Sequence, residues 1–116
     1  MRNRVSLMDS VEAGLKASRL RQSVIANNIA NLSTPGFRRG RVVFEDILAK
    51  ARGRLGPGEV APRVVQPADT PVNASGSDVS LEMEVGELVR NAASYKTYMR
   101  VLGTVYRQME MATQTP

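Results

Sequence analysis

From Leu81 to Met109, apolar residues recur alternately every four and three positions. This spacing puts one apolar side chain per turn on a single helix face. Its seven-residue period, kept over about four heptads, predicts a left-handed supercoil against a partner helix. Ser80 precedes the pattern as a good N-cap. The sequence therefore predicts a long C-terminal helix over residues 79–112. Its apolar positions, here called the C-terminal seam, are Leu81, Val85, Leu88, Ala92, Tyr95, Met99, Leu102, Tyr106 and Met109.

A second periodic segment predicts an N-terminal helix over residues 6–32. Asp9 and Glu12 lie in its first turns, where the helix dipole favours acidic groups. We expect the two long helices to pair as an antiparallel coiled-coil hairpin. The apolar residues outside the seams exceed what one hairpin partner can cover, so the isolated chain is either partly folded or covered by other chains. The N-terminal seam comprises Met8, Val11, Leu15, Ser18, Gln22, Ile25, Ile29 and Leu32.

The segment between the helices, residues 33–78, lacks the long apolar periodicity of the two helices. Apolar spacing from Phe44 to Ala51 predicts a short amphipathic helix. Residues 51–78 hold four of the six prolines and four of the nine glycines, which predicts a loop, extended or disordered stretch. The predicted fold is thus mainly α, a single domain over residues 1–116 with two long terminal helices and a flexible middle.

The stretch ANNIANLSTPGF carries three asparagines at the end of the first helix. Asn31 has a simple role, because asparagine tolerates the left-handed conformation that often closes a helix. Asn27 and Asn28 lie one turn earlier, where no cap is needed. We expect their amides to hydrogen-bond to the C-terminal helix or to a neighbouring subunit, which fixes register. Pro35 and Gly36 occupy the second and third positions of a type II turn.

The composition argues against catalysis, metal binding and disulfide formation. The chain has no histidine and no cysteine, so it lacks the usual general base, the commonest metal ligand and any disulfide. The close carboxylates Glu45–Asp46 and Glu82/Glu84 are interpreted as helix-start and surface charges. We therefore predict no catalytic, cofactor or metal site, and no enzyme. No apolar run is long enough for a membrane span, and the N-terminus lacks the pattern of a cleavable signal peptide.

The net charge of +5 is unevenly distributed, because the first 54 residues hold 11 basic and 4 acidic side chains. A basic half can bind nucleic acid, or it can pair with acidic parts of the same or a neighbouring chain. The scattered positions of the basic residues favour pairing. The stretch FRRGR can grip phosphates, but a solvated basic loop is the favoured interpretation, because no nucleic-acid-binding signature accompanies it.

ANNIANLSTPGF is similar to a signature near the N-terminus of bacterial flagellar axial proteins. The stretches at 37–48 and 77–111 resemble the flagellar basal body rod protein family, most closely its proximal-rod members. The resemblance implies a structural subunit of the periplasm-spanning rod, exported unfolded by the flagellar type III apparatus. It implies copies of itself and related rod proteins as partners, with the membrane ring and export gate at the rod base. It implies no nucleic acid, cofactor or small-molecule substrate. The alternative is a small basic helical nucleic-acid-binding protein.

The seams and the asparagine motif together give the residues predicted to form assembly contacts. Nine of them are seam positions and the other five belong to the motif and its turn. They are Leu15, Ile25, Asn27, Asn28, Ile29, Asn31, Pro35, Gly36, Leu81, Leu88, Tyr95, Met99, Leu102 and Tyr106.

Overall fold

The computed structural model describes residues 7–45 and 61–114. The predicted short helix lies outside the described residues beyond Glu45, as do residues 51–60 of the Pro/Gly-rich stretch. In the described part, two long helices flank a short pair of strands, so the prediction of a mainly helical fold is confirmed. The elements in chain order are α1 (Leu7–Ala30), β1 (Arg41–Val43), β2 (Arg63–Val65) and α2 (Leu81–Gln114).

The helix ends follow from local chemistry. Ser80 caps α2, because its Oγ accepts the backbone N–H of Met83 at 3.4 Å, as expected of an N-cap. At the other break, the N–H of Phe37 donates to the carbonyl of Thr34 at 3.2 Å. Gly36 has a φ of 79°, which is the positive value that a type II turn requires at this position. The predicted turn after α1 is therefore confirmed.

The two helices run antiparallel. Asn28 near the end of α1 contacts Glu84 at the start of α2, and Ser18 contacts Asn91 further along. Near the start of α1, a Cβ placed on Gly14 would lie 2.3 Å from the ring of Tyr98. Because real Cβ atoms do not approach so closely, a glycine at this position lets the tyrosine ring cross the surface of α1.

The face of α1 that packs in the hairpin is rotated slightly from the predicted one. Val11, Ser18 and Ile25 of the N-terminal seam are buried as expected. Their companions in the interface are Gly14 and Asn28, one position before the expected Leu15 and Ile29. Leu15 and Ile29 are half-exposed, because α1 turns its neighbouring row of side chains toward α2.

The C-terminal seam is not what the hairpin buries. Glu84 and Asn91 are the buried residues of α2, and Tyr98, seven residues further, meets Gly14. This row lies one position before the seam residues Val85, Ala92 and Met99. The large seam residues other than the half-buried Leu102 are 40% to 57% exposed; they are Leu81, Val85, Leu88, Tyr95, Met99, Tyr106 and Met109.

The middle segment contributes to a small core. β1 and β2 pair antiparallel, with Val42 opposite Val64. The composition of residues 51–78 allowed an extended segment at β2, but it did not predict that β2 pairs with β1. Val42 and Phe44 are buried, with Phe44 fully so, and β1 packs against α1. The chain thus has a core of its own. Its apolar members are Val11, Ala13, Ala17, Ile25, Val42, Phe44 and Val79.

Candidate assembly site

A cluster of four buried polar side chains joins the end of α1 to the start of α2. Its members, Asn28, Arg39, Asp78 and Glu84, come from four separate parts of the chain. Asn28 is fully buried, and its Nδ2 donates to Glu84 Oε1 and to the carbonyl of Gly40, both at 2.9 Å. The N–H of Gly40 donates back to Asn28 Oδ1 at 2.9 Å. Both ends of the amide are therefore satisfied, as burial requires.

Glu84 and Arg39 form a buried ion pair within this cluster. Arg39 Nε donates to Glu84 Oε2 at 2.8 Å. Glu84 is fully buried and Arg39 is 5% exposed. The interpretation of Glu84 as a surface charge, and of Arg39 as part of a solvated basic loop, is therefore wrong. Each charge is buried because the other compensates it, which a sequence pattern cannot reveal when the partners lie 45 residues apart.

Asp78 ties the loop before α2 to the same arginine-rich stretch. Its Oδ1 accepts the backbone N–H of Arg39. Its Oδ2 lies 3.4 Å from Nε of Arg38, which is ion-pair distance, but the geometry is not that of a hydrogen bond. The N–H of Asp78 donates to the carbonyl of Phe37 at 3.3 Å. Arg38 and Arg39 are thus paired with acidic residues of the same chain, which is the outcome that the scattered positions of the basic residues favoured.

Asn73 organises the loop that carries Asp78, and sequence reasoning missed it. Its Nδ2 donates to the carbonyl of Leu32 at 2.9 Å, next to the end of α1. Its Oδ1 accepts the backbone N–H groups of Ser75 at 2.8 Å and Ser77 at 3.2 Å. The only sequence signal is the NASGS pattern, in which an asparagine followed by small residues and glycine favours a side-chain-stabilised turn.

The other two asparagines of the motif act locally. Asn31 Nδ2 donates to the carbonyl of Asn27 at 2.8 Å, and Asn31 Oδ1 accepts the hydroxyl of Thr34 at 3.0 Å. Among the described residues no side-chain-bearing residue has a positive φ, so the left-handed conformation expected for Asn31 is wrong. Asn31 closes the helix through its side chain. Asn27 is exposed, and α2 accepts a hydrogen bond from Asn28 alone among the three asparagines.

A smaller polar group, Arg21, Glu45 and Tyr98, lies on one side of the hairpin. Arg21 pairs with Glu45, whose Oε2 accepts the hydroxyl of Tyr98 at 3.1 Å. Partial burial acts to raise the pKa of Glu45, but the hydrogen bond and charge of Arg21 outweigh it and hold that pKa below its usual value. Burial and then the charge of Glu45 raise the pKa of Tyr98 to about 12.

This shift predicts a distinct high-pH step in the titration of the three tyrosines. In the folded chain Tyr98 should lose its proton near pH 12, against about 10 in an unfolded chain. Its protonated form therefore favours the folded state below pH 10, and that contribution disappears as the pH rises toward 12. Tyrosinate absorbance should show the late step in the wild type and lose it in Tyr98→Phe. A single step near pH 10 in a wild-type chain that circular dichroism shows to be folded would contradict this.

The predicted contact residues divide into two sets in the structure. Ile25 and Asn28 are buried within the hairpin. The seam residues of α2 instead form an exposed stripe, here called the apolar face of α2: Leu81, Val85, Leu88, Tyr95, Met99, Tyr106 and Met109. Pro35 and Gly36 form an exposed turn, which lies against a second turn because Gly36 donates to the carbonyl of Gly76 at 3.1 Å.

Neither described helix has the length and apolar content that crossing a bilayer requires. Within residues 7–45 and 61–114, no three acidic side chains converge as a metal site would need. What the described chain presents is a helical hairpin, closed by a buried polar cluster, with one long apolar face in solvent. An exposed apolar face of this kind is typical of a chain that packs against other helices.

Comparison with known proteins supports this class. The family model described as flagella basal body rod protein matches residues 8–38, which contain α1 and the turn after it. The flagellar basal body rod protein FlgB of Borrelia hermsii is 31% identical over 103 residues, covering 71% of this chain and 76% of the relative. FlgB of Bacillus subtilis is 26% identical over 115 residues, covering 89% of each chain. The rod protein FlgG of Buchnera aphidicola is 44% identical, but only over 45 residues.

The chain belongs to the flagellar basal body rod protein family. Within that family it is similar to FlgB along most of its length, whereas its likeness to FlgG is confined to a shorter stretch. It is accordingly a structural subunit of the rod, located in the flagellar basal body. The relatives are rod proteins by name, not enzymes.

Proposed function

We propose that this chain is a single-domain subunit of the proximal rod and assembles through the apolar face of α2. Its partners are other copies of itself and related rod proteins, with the membrane ring and export gate beneath. It reaches the site unfolded through the flagellar export apparatus and refolds there. Because the hairpin is small and its apolar face is uncovered, packing against neighbours stabilises the folded subunit further.

One observation carries the proposal. Seven large apolar side chains of α2 are each at least 40% exposed along one continuous heptad seam. An isolated apolar residue on a surface needs no explanation, but a stripe this long is typical of a protein–protein interface. Because the hairpin uses a different row of α2, a neighbouring helix can pack on the stripe without disturbing the fold of the subunit. We therefore assign this face to the contacts predicted for Leu81, Leu88, Tyr95, Met99 and Tyr106.

The nucleic-acid-binding alternative has no support from the relatives, and the charge geometry argues against it. Arg21 pairs with Glu45, Arg38 lies beside Asp78 and Arg39 is buried against Glu84. Phosphate binding depends on cations that are free to displace counterions. Three of the five arginines in residues 7–45 are instead engaged by carboxylates of the same chain.

The test is to place a charge in the apolar face. We expect Tyr95→Asp or Met99→Asp to leave secretion intact but to abolish rod formation, because an unpaired charge buried in a packed interface costs several kcal/mol. Thr97→Asp is the matched control, because Thr97 is exposed about half a helical turn away from the face. Each variant would replace the chromosomal copy in a flagellated strain, with swimming, exported protein and purified basal bodies as readouts.

Normal swimming by both face variants would contradict the assembly role of this surface. Loss of swimming by the Thr97 control as well would show that any new charge on α2 disturbs the subunit, which would also remove the argument for the stripe. Circular dichroism of the purified variants distinguishes an unfolded chain from one that fails only to assemble.

A further inference from the structure

An open groove lies between α1 and α2 on the side that carries part of the apolar face. Its volume is about 570 Å³, and its apolar wall is formed by Leu88, Ala92 and Tyr95 of α2. Arg19 of α1 and Lys96 of α2 also line it, and no carboxylate does. Within residues 7–45 and 61–114, neither cation has an ion-pair partner. The groove therefore fits an apolar segment with an acidic group beside it.

Two buried polar atoms in the groove wall have no hydrogen-bond partner among the described residues. They are Ser18 Oγ and Asn91 Oδ1, in residues that are 1% and 7% exposed. Asn91 Nδ2 donates to the carbonyl of Ser18 at 2.8 Å. This hydrogen bond fixes the orientation of the Asn91 amide, so its Oδ1 is the atom without a partner. Both atoms are closed to solvent, so an occupant of the groove packs over this part of the wall without reaching them.

The last turns of α2 have the matching chemistry. Tyr106 and Met109 are 57% and 55% exposed, and Glu110 follows Tyr106 at i+4, so the three share one face. Because Tyr98 packs on Gly14 in the antiparallel hairpin, the first described residue of α1 lies level with about residue 105. The turns from Tyr106 onward therefore extend past the described part of α1.

We infer that the groove of one subunit receives the C-terminal turns of α2 from a second copy of this chain. The inference rests on the proposed function and identifies a partner segment for it. Tyr106 of the incoming copy packs on Leu88 and Ala92. Glu110 of the same copy pairs with Arg19 or Lys96. The groove and the incoming turns are different surfaces, so each copy offers both and the contact repeats head to tail into an open filament.

Disulfide trapping tests this directly, because the chain has no cysteine of its own. A full-length Gln22→Cys chain, with the new thiol at the groove, is mixed with a full-length Met109→Cys chain of different mass. We expect the mixed dimer in at least tenfold higher yield than with Thr97→Cys, whose thiol lies away from the incoming face. Adding Glu110→Lys to the Met109→Cys chain should lower the yield about tenfold. Adding Arg19→Glu and Lys96→Glu to the Gln22→Cys chain should then restore it.

Equal trapping with Thr97→Cys, or a yield insensitive to Glu110→Lys, would overturn the inference. So would failure of the charge swap to restore trapping when circular dichroism shows that all variants are folded. If trapping fails while Tyr95→Asp still abolishes rods, the groove assignment is wrong and the rod function stands. If trapping succeeds but face variants swim normally, the copies associate through the groove in solution, and this contact is not one that builds the rod.

Discussion

Replacing Glu84 by alanine is expected to destabilise the hairpin by about 3–5 kcal/mol, because it leaves a buried arginine without its counterion. Arg39 is 5% exposed and its Nε has its carboxylate partner in Glu84. Asn28 Nδ2 loses an acceptor at the same time. For a chain of this size such a loss approaches the whole free energy of folding. Far-UV circular dichroism and urea titration should show a largely unfolded chain at 25 °C.

Glu82→Ala is the matched control, since Glu82 lies in the same turn of α2 but is exposed. It should change the urea midpoint little, because an exposed charge near a helix N-terminus contributes only about 0.3–1 kcal/mol through the helix dipole. The double variant Glu84→Ala with Arg39→Ala should be less destabilised than the sum of the single changes, because neither charge is then left unpaired. Additive losses, or similar effects of Glu82→Ala and Glu84→Ala, would contradict a coupled ion pair.

Asn28→Ala is expected to cost about 2–4 kcal/mol, because it leaves several buried groups without partners. The N–H and carbonyl of Gly40 and Oε1 of Glu84 each lose a hydrogen bond from this one side chain. The loss should appear in the urea midpoint of the isolated chain. It should also weaken rod assembly, because the start of α2 is then no longer held in register with the end of α1.

Asn27→Ala provides the comparison, one position away in the same motif. Asn27 is exposed, and alanine is the better helix former by roughly half a kcal/mol. We therefore expect unchanged or slightly higher stability and normal swimming. If Asn27→Ala impairs assembly while the isolated chain stays stable, Asn27 contacts a neighbouring subunit. Equal, small effects of the two substitutions would contradict the role assigned to the buried cluster.

Sequence patterns predicted the helices, the helix cap and the turn correctly, because each of these depends on residues close together in the chain. The 4-3 spacing of apolar residues predicted both helices, to within two residues at each described end. Ser80 as a cap and Pro35–Gly36 as a turn depend on contacts within a few residues, and both are as expected. The motif ANNIANLSTPGF also led to the correct family, because it resembles the signature near the N-terminus of that family.

Only the tertiary structure decided which face of each helix the hairpin buries. Periodicity shows that α2 has an apolar face, but the hairpin packs the adjacent row of Glu84, Asn91 and Tyr98 instead. That choice depends on Arg39, in the loop before β1, and on Asn73 and Asp78, in the loop before α2. These side chains reach the helices only after the chain has folded back. The sequence by itself determined two amphipathic helices and a turn, since these follow from short-range propensity. The long-range pairing of buried charges decided that the apolar face of α2 stays exposed in the single subunit.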